Sequence, residues 1–294
     1  SLYENGDVEE TIELLKKNGY TYEKEGALWL AATKFGCEKD EVLVRANGLC
    51  TYFTADIAYH RNKFAKRGFS TCINVWGADH HGHVARMQHA MDALGLDGSK
   101  LKVVLMQLVR LVRGNEVVRM SKRSGKAMSL SDLLDETGID AARFIFNLQR
   151  PDSHLEFDLD LAIEQSSQNP VFYVQYAHAR ICSILRKMQE EGVDLTKLPE
   201  ADPTLLTAPE EVELMDHLAS FPEEIRLSAV EYEPSKMTRY AIELASRFHK
   251  FYNACYCNVE DENLKYARLM LVQSTATVIE NVLSILKVDA PEKM

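Results

Sequence analysis

From residue 170 onward, every long apolar pattern repeats at helical spacing, and almost no strand signal interrupts it. Residues 171–190, 210–217, 222–230, 235–258 and 264–286 all show this periodicity, and Pro199, Pro203 and Pro209 punctuate one loop. Helices that are apolar along one stripe must bury it against each other, so this half reads as a helical bundle. No internal repeat is visible.

The first 150 residues read instead as mixed α/β. Residues 8–18 set Val8, Ile12 and Leu15 on one helical face, closed by Gly19. Residues 41–44 and 50–53 look like short strands around Asn47-Gly48, a hairpin-turn dipeptide. Thr54 is placed to cap a helix that runs to residue 66, before Gly68. Residues 71–76 suit a buried strand and 84–94 a helix. Residues 102–112 and 116–120 read as two strands joined by Gly114-Asn115. The character changes between Pro151 and Pro170, and 294 residues have room for about two domains. We place these at 1–166 and 167–294.

With 46% hydrophobic and 27% charged residues, the composition is globular and excludes a disordered or collagen-like chain. No uninterrupted apolar run approaches the ~20 residues that cross a bilayer, so no membrane partner is expected. The first ten residues hold four acidic groups and no apolar core, which argues against a signal peptide. Six cysteines are scattered without a CxxC pair, as expected of free thiols in a reducing cytoplasm.

A net charge of −10 argues against indiscriminate nucleic-acid binding. The charge is uneven: residues 100–126 carry eight basic and one acidic side chain, residues 131–169 two and nine, residues 190–235 two and thirteen. A basic stretch on an acidic body can steer an anionic ligand to one place, although a solvated face gives the same pattern.

Four segments carry chemistry. Arg119-Met120-Ser121-Lys122-Arg123-Ser124-Gly125-Lys126 sets four basic side chains and two hydroxyls in eight residues. Such a loop can surround a polyphosphate and offset charge that develops on a leaving pyrophosphate. Composition alone leaves it a solvated basic loop. Its string, however, resembles the KMSKS signature of class I aminoacyl-tRNA synthetases.

The second segment, residues 74–83, ends a strand and opens a helix, the edge at which α/β folds bind ligands. Asp79, His80, His81 and His83 invite a zinc reading, but such close neighbours rarely converge on one ion, and no tightly bound metal is expected. His80-His81-Gly82-His83 also spells the H-x-G-H of the other class I signature, HIGH. Only 37 residues separate His83 from Met120, too few for the intervening half of that fold. The surrounding letters look like a later, substrate-side element of arginyl-tRNA synthetases.

The third segment, residues 52–60, puts Tyr52 before a helix and Asp56 in its first turn, where the dipole favours a carboxylate. A capped helix start explains that equally well. Beside the other signals, it resembles the block in which arginyl-tRNA synthetases hold the amino acid. A carboxylate can accept a forked pair of hydrogen bonds from a guanidinium that lysine could not reproduce.

In the fourth segment, residues 169–180, Tyr173, Tyr176 and Arg180 share one helical face, and Phe248, Tyr252 and Tyr256 form a second stripe. Such stripes build cores, and tyrosines beside arginine also stack on unpaired bases. The run resembles the start of the DALR anticodon-binding domain, and Pro291-Glu292-Lys293-Met294 resembles that family's C-terminus.

These four blocks occur in the order found in arginyl-tRNA synthetases and extend over nearly the whole chain. The resemblance implies the C-terminal half of a Rossmann-like class I catalytic domain followed by a helical-bundle anticodon-binding domain. It also implies the reaction: arginine and ATP, with Mg2+ accompanying the nucleotide, form arginyl-adenylate, and the arginyl group passes to tRNA(Arg). By residue, it puts Tyr52, Asp56 and His80 at the arginine, and Gly77, Asp79, His83, Met120 and Lys122 at the ATP. Arg119, Met120, Ser121, Lys122 and Arg123 form the catalytic loop. Tyr173, Tyr176, Arg180, Tyr252, Tyr256 and Met294 lie on the anticodon side.

Arg119 and Arg123 replace the first lysine and last serine of KMSKS, though an arginine after the second lysine is familiar in the family. Cys37 stands where an aspartate is common. The HIGH-bearing half and an N-terminal tRNA-contacting domain are missing from these residues, and Ser1 comes first. We therefore expect an excised piece of a longer chain, inactive alone, with a monomer favoured. The alternatives are a non-catalytic tRNA-binding module and a metal-dependent hydrolase built on the histidine cluster.

Overall fold

A computed structural model describes residues 2–114, 116–118 and 128–294. The chain forms two compact units, residues 1–108 and 109–294.

In the first unit, helix α1 (Asp7–Lys17) buries Val8, Ile12 and Leu15. Strands β1 (Thr21–Lys24), β2 (Ala27–Leu30) and β3 (Glu41–Val44) make an antiparallel sheet in that order. The β1–β2 turn needs two left-handed residues, supplied by Glu25 (φ 53°) and Gly26 (φ 74°). Asn47-Gly48 turns the chain as expected, with Gly48 at φ 80°, but the strand predicted after it is reduced to one bridge between Val44 and Cys50. Helix α2 (Tyr52–Arg61) has already begun there and continues as a wider π turn over Asn62–Lys66. Thr51, not Thr54, is its N-cap, and Thr54 Oγ1 donates instead to the Leu43 carbonyl at 2.7 Å. Strand β4 (Cys72–Gly77) runs parallel to β5 (Leu101–Met106), and helix α3 (His81–Ala93) connects them.

The predicted strand over 102–112 is two strands: β5, and β6 (Val109–Arg113) in the second unit. No glycine or proline marks the break. Strand β6 pairs antiparallel with β7 (Glu116–Val117) and parallel with β8 (Leu155–Asp158). Helix α4 (Leu130–Thr137) starts with a reciprocal Ser129–Asp132 capping box, and α5 (Ile139–Phe146) and α6 (Leu159–Ile163) follow.

Four long helices complete this unit: α7 (Pro170–Glu190), α8 (Pro209–Glu231), α9 (Ser235–Ala254) and α10 (Glu262–Leu286). Two predicted helices merge in α8, because Pro222 sits inside it without ending it. One core joins Leu111, Phe144 and Phe157 to Val174, Phe248 and Leu283 of the bundle. By length and composition α10 could cross a membrane, but here it packs on α7, α8 and α9, with Leu269, Val272, Ile279 and Leu283 buried.

Candidate functional site

A cavity of about 440 Å³ opens in the first unit at the carboxyl end of β4. Three elements build it. Helix α2 and its π turn contribute Tyr52, Asp56, Tyr59 and Lys63, spaced by four, three and four residues. Strand β4 contributes Asn74 and Trp76, and the start of α3 contributes Gly82, His83 and Arg86, with Asp79 and His80 between.

Of the residues singled out from sequence, Tyr52, Asp56, Asp79, His80 and His83 all line this cavity. Tyr52 stands at its rim, 89% exposed. Gly77 does not line it; a β-carbon there would lie 2.5 Å from Asp79 Oδ1, the free end of an exposed side chain. Asp56 lies in the second turn of α2, not the first, because the helix starts three residues earlier than predicted. The helix-dipole argument for Asp56 therefore lapses. Its carboxylate faces His83, with Oδ2 and Nε2 3.7 Å apart.

Aromatic rings wall the site. The His83 ring lies 5.4 Å from both Phe53 and Trp76, and Trp76 also stands 6.4 Å from His80. The Arg86 guanidinium donates to Glu41 (2.8 Å) and to the Gly82 carbonyl (2.9 Å). Sequence reasoning missed Tyr59, His60, Lys63, Asn74 and Trp76. The helical stripe from Tyr52 through Asp56 would have led to Tyr59 and Lys63, whereas no local pattern marks Asn74. His60 is 4% exposed, and burial lowers its pKa, assisted by the nearby Lys63 ammonium and opposed by the hydrogen bond to Asp56. Among the described residues, no three histidine, cysteine or carboxylate side chains converge to hold a metal ion. The loop residues Arg119, Met120, Ser121, Lys122 and Arg123 lie outside the described residues.

The second unit has its own site, a pocket of about 530 Å³ lined by Tyr176, Arg180, Lys187, Tyr252, Lys293 and Met294, among others. The Arg180 guanidinium carbon lies 5.3 Å from the Tyr176 ring centre and 5.0 Å from that of Tyr252. His249, unmarked in the sequence, packs 5.2 Å from Tyr173, and its Nδ1 stands 3.5 Å from Arg180. The wall bearing Met294 is tied down: Gln175 donates to the Asp289 carbonyl (2.9 Å), and His178 Nδ1 to that of Pro291 (3.0 Å).

The expected stripe of Phe248, Tyr252 and Tyr256 does not form. Helix α9 ends at Ala254, Phe248 is fully buried, and Tyr256 lies past the helix end, 70% exposed. Tyr256 is flanked by buried Cys255 and Cys257, and Arg268 donates to its carbonyl at 2.6 Å. Burial pushes the Cys257 thiol up to about 11.

Residues 1–183 match the family of class I tRNA synthetase catalytic domains of arginine type, and residues 174–294 match the DALR anticodon-binding domain. The chain is 58% identical over its whole length to arginine–tRNA ligases of Acetivibrio thermocellus and Ruminiclostridium cellulolyticum, covering 52% of each. It thus spans about half the length of the curated relatives it matches. A solved structure from Campylobacter jejuni, described as an arginyl-tRNA synthetase, superposes with a TM-score of 0.90 at 36% identity. That match covers all of this chain and 63% of the other. The arginyl-tRNA synthetase of Thermus thermophilus shares the fold at a TM-score of 0.83 and 24% identity, over 98% of this chain and 58% of the other.

Proposed function

The chain belongs to the class I arginyl-tRNA synthetase family, and on that premise we propose that it supplies the arginine pocket, the phosphate-facing loop and the anticodon side of an arginine–tRNA ligase. In that reaction the arginine carboxylate attacks the α-phosphate of ATP and pyrophosphate leaves. A ribose hydroxyl at the tRNA 3′ end then attacks the activated carbonyl, and AMP leaves. Magnesium enters with the nucleotide.

The observation that carries this reading is the placing of Asp56, whose carboxylate enters the cavity of the first unit with no lysine or arginine bound to it among the described residues. A substrate guanidinium fits that role, held by two charge-assisted hydrogen bonds with Tyr52 at the rim. We place His80 beside the arginine, and Gly77, Asp79 and His83 toward the adenosine. Arg119, Met120, Ser121, Lys122 and Arg123 act on the phosphates. In the second unit, Tyr173, Tyr176, Arg180, Tyr252, Tyr256 and Met294 face the anticodon, with catalytic and anticodon-binding domains at 1–166 and 167–294. The protein works in the cytoplasm as a monomer.

Ile73 and Val75 on β4 are 51% and 62% exposed, whereas parallel sheets are ordinarily covered on both faces. This supports a nucleotide cradle completed by chain that the longer relatives possess and these 294 residues do not. The test is charging of tRNA(Arg) with labelled arginine by a full-length protein containing these residues, beside the 294 residues alone. Charging by the first and not the second is expected. A full-length protein that binds tRNA without charging it would favour the non-catalytic module.

A further inference from the structure

The floor of the first-unit cavity holds a chain of hydrogen bonds in which every proton can be placed. His60 Nδ1 lies 2.8 Å from the backbone carbonyl of Asp56. A carbonyl only accepts, so Nδ1 carries a proton. On the other side of the ring, His60 Nε2 stands 2.6 Å from Asn74 Nδ2, and Asn74 Oδ1 lies 3.3 Å from Lys63 Nζ. An ammonium only donates, so the amide oxygen must face Lys63 and the amide N–H must face the imidazole. His60 Nε2 therefore accepts, and the ring is neutral. Protonating it would set two donors face to face, and flipping Asn74 to relieve them would turn the amide N–H onto Lys63.

Two fixed ends thus determine the middle. The ammonium is itself held, with Nζ 4.2 Å from the Tyr59 ring centre. Both central residues are buried, and Trp76 meets the His60 ring edge-on at 6.5 Å. Burial of His60, which disfavours its charged form, acts in the same direction. The chain crosses from α2 to β4 and attaches to the peptide unit that carries the Asp56 side chain.

We propose that His60 and Asn74 are positioning residues that lock Asp56 to strand β4, so that its carboxylate meets the guanidinium of arginine in one fixed orientation. The proposal rests on the reading of this cavity as the arginine pocket. Neither residue reacts. Their effect passes through Asp56, where a displacement of about 1 Å can cost on the order of a hundredfold in rate.

Two measurements test it. On the 294-residue chain with 15N-labelled histidine, His60 is expected to show a protonated, pyrrole-type Nδ1 and a pyridine-type Nε2 at neutral pH. In Asn74→Asp the new carboxylate cannot donate, so both ring nitrogens should become protonated. A charged ring or the opposite tautomer in the unaltered protein would overturn the proposal, and this readout needs no variant to fold.

In full-length enzyme, arginine-dependent pyrophosphate exchange by Asn74→Asp and His60→Gln should show an arginine KM raised at least about tenfold. The ATP KM should stay within about twofold, a split that general loss of structure would not produce. If Asp56→Asn raises the arginine KM while these two variants leave it unchanged, the positioning role is wrong and the pocket assignment stands. If Asp56→Asn has no effect either, the pocket assignment itself fails.

Discussion

Asp56 Oδ2 stands 3.7 Å from His83 Nε2, across a cavity whose other walls are Trp76 and the start of α3. Replacing Asp56 with asparagine keeps the shape and removes the charge. Hydrogen bonds to a charged group are worth about 1.5–3 kcal/mol. The arginine KM of the full-length enzyme should therefore rise roughly ten- to hundredfold, with ATP affinity nearly unchanged. Equal effects on both substrates would show that Asp56 supports the helix and not the ligand.

Tyr252 and Tyr256 of the second unit should behave differently from each other. Tyr256 is exposed past the end of α9, so Tyr256→Ala should weaken binding to an anticodon stem-loop by about 1–3 kcal/mol and leave the melting temperature alone. Tyr252 packs 6.0 Å from buried Phe248 and under Arg180, so Tyr252→Ala should lower both affinity and melting temperature. Paired melts and titrations separate the cases. Unchanged RNA affinity in both variants would return these residues to a purely structural role.

Arg268 ties α10 to α8 and to the segment after α9. Its Nε donates to Glu211 (2.7 Å), its Nη1 to the Tyr256 carbonyl, and Glu211 in turn accepts from the Ala208 amide (2.9 Å). Glu211 is 1% exposed, so Arg268→Met strands a buried carboxylate and should cost about 3–5 kcal/mol in denaturant unfolding. Arg268→Met with Glu211→Gln should recover part of that loss. A single variant as stable as the parent would contradict the burial argument.

Much of this was legible in the sequence, for reasons that differ by region. The bundle helices announce themselves because burial of one stripe writes its period into the chain, and Asn169 caps α7 just where Pro170 begins it. The two units were not legible at their join. Residues 101–113 form one β-prone run, and only tertiary pairing assigns β5 to β4 and β6 to β8. Tyr256 was misplaced because helical spacing continues past residue 254 while the backbone does not. Tyr52, Asp56, His80 and His83 could be named from their neighbours in sequence. The Lys63–Asn74–His60 chain could not, since it depends on α2 meeting β4 and no spacing within either element encodes that encounter.

The most direct test of the central claim is pyrophosphate exchange by the full-length protein, with arginine compared against citrulline and lysine. Citrulline keeps the length and shape of arginine but lacks its charge, and lysine keeps the charge but lacks the fork. If the Asp56 cavity reads a guanidinium, both analogues should fall at least about a hundredfold below arginine in kcat/KM, because each leaves the carboxylate's hydrogen bonds incomplete. Exchange supported by citrulline or lysine to within a few fold of arginine would contradict the account.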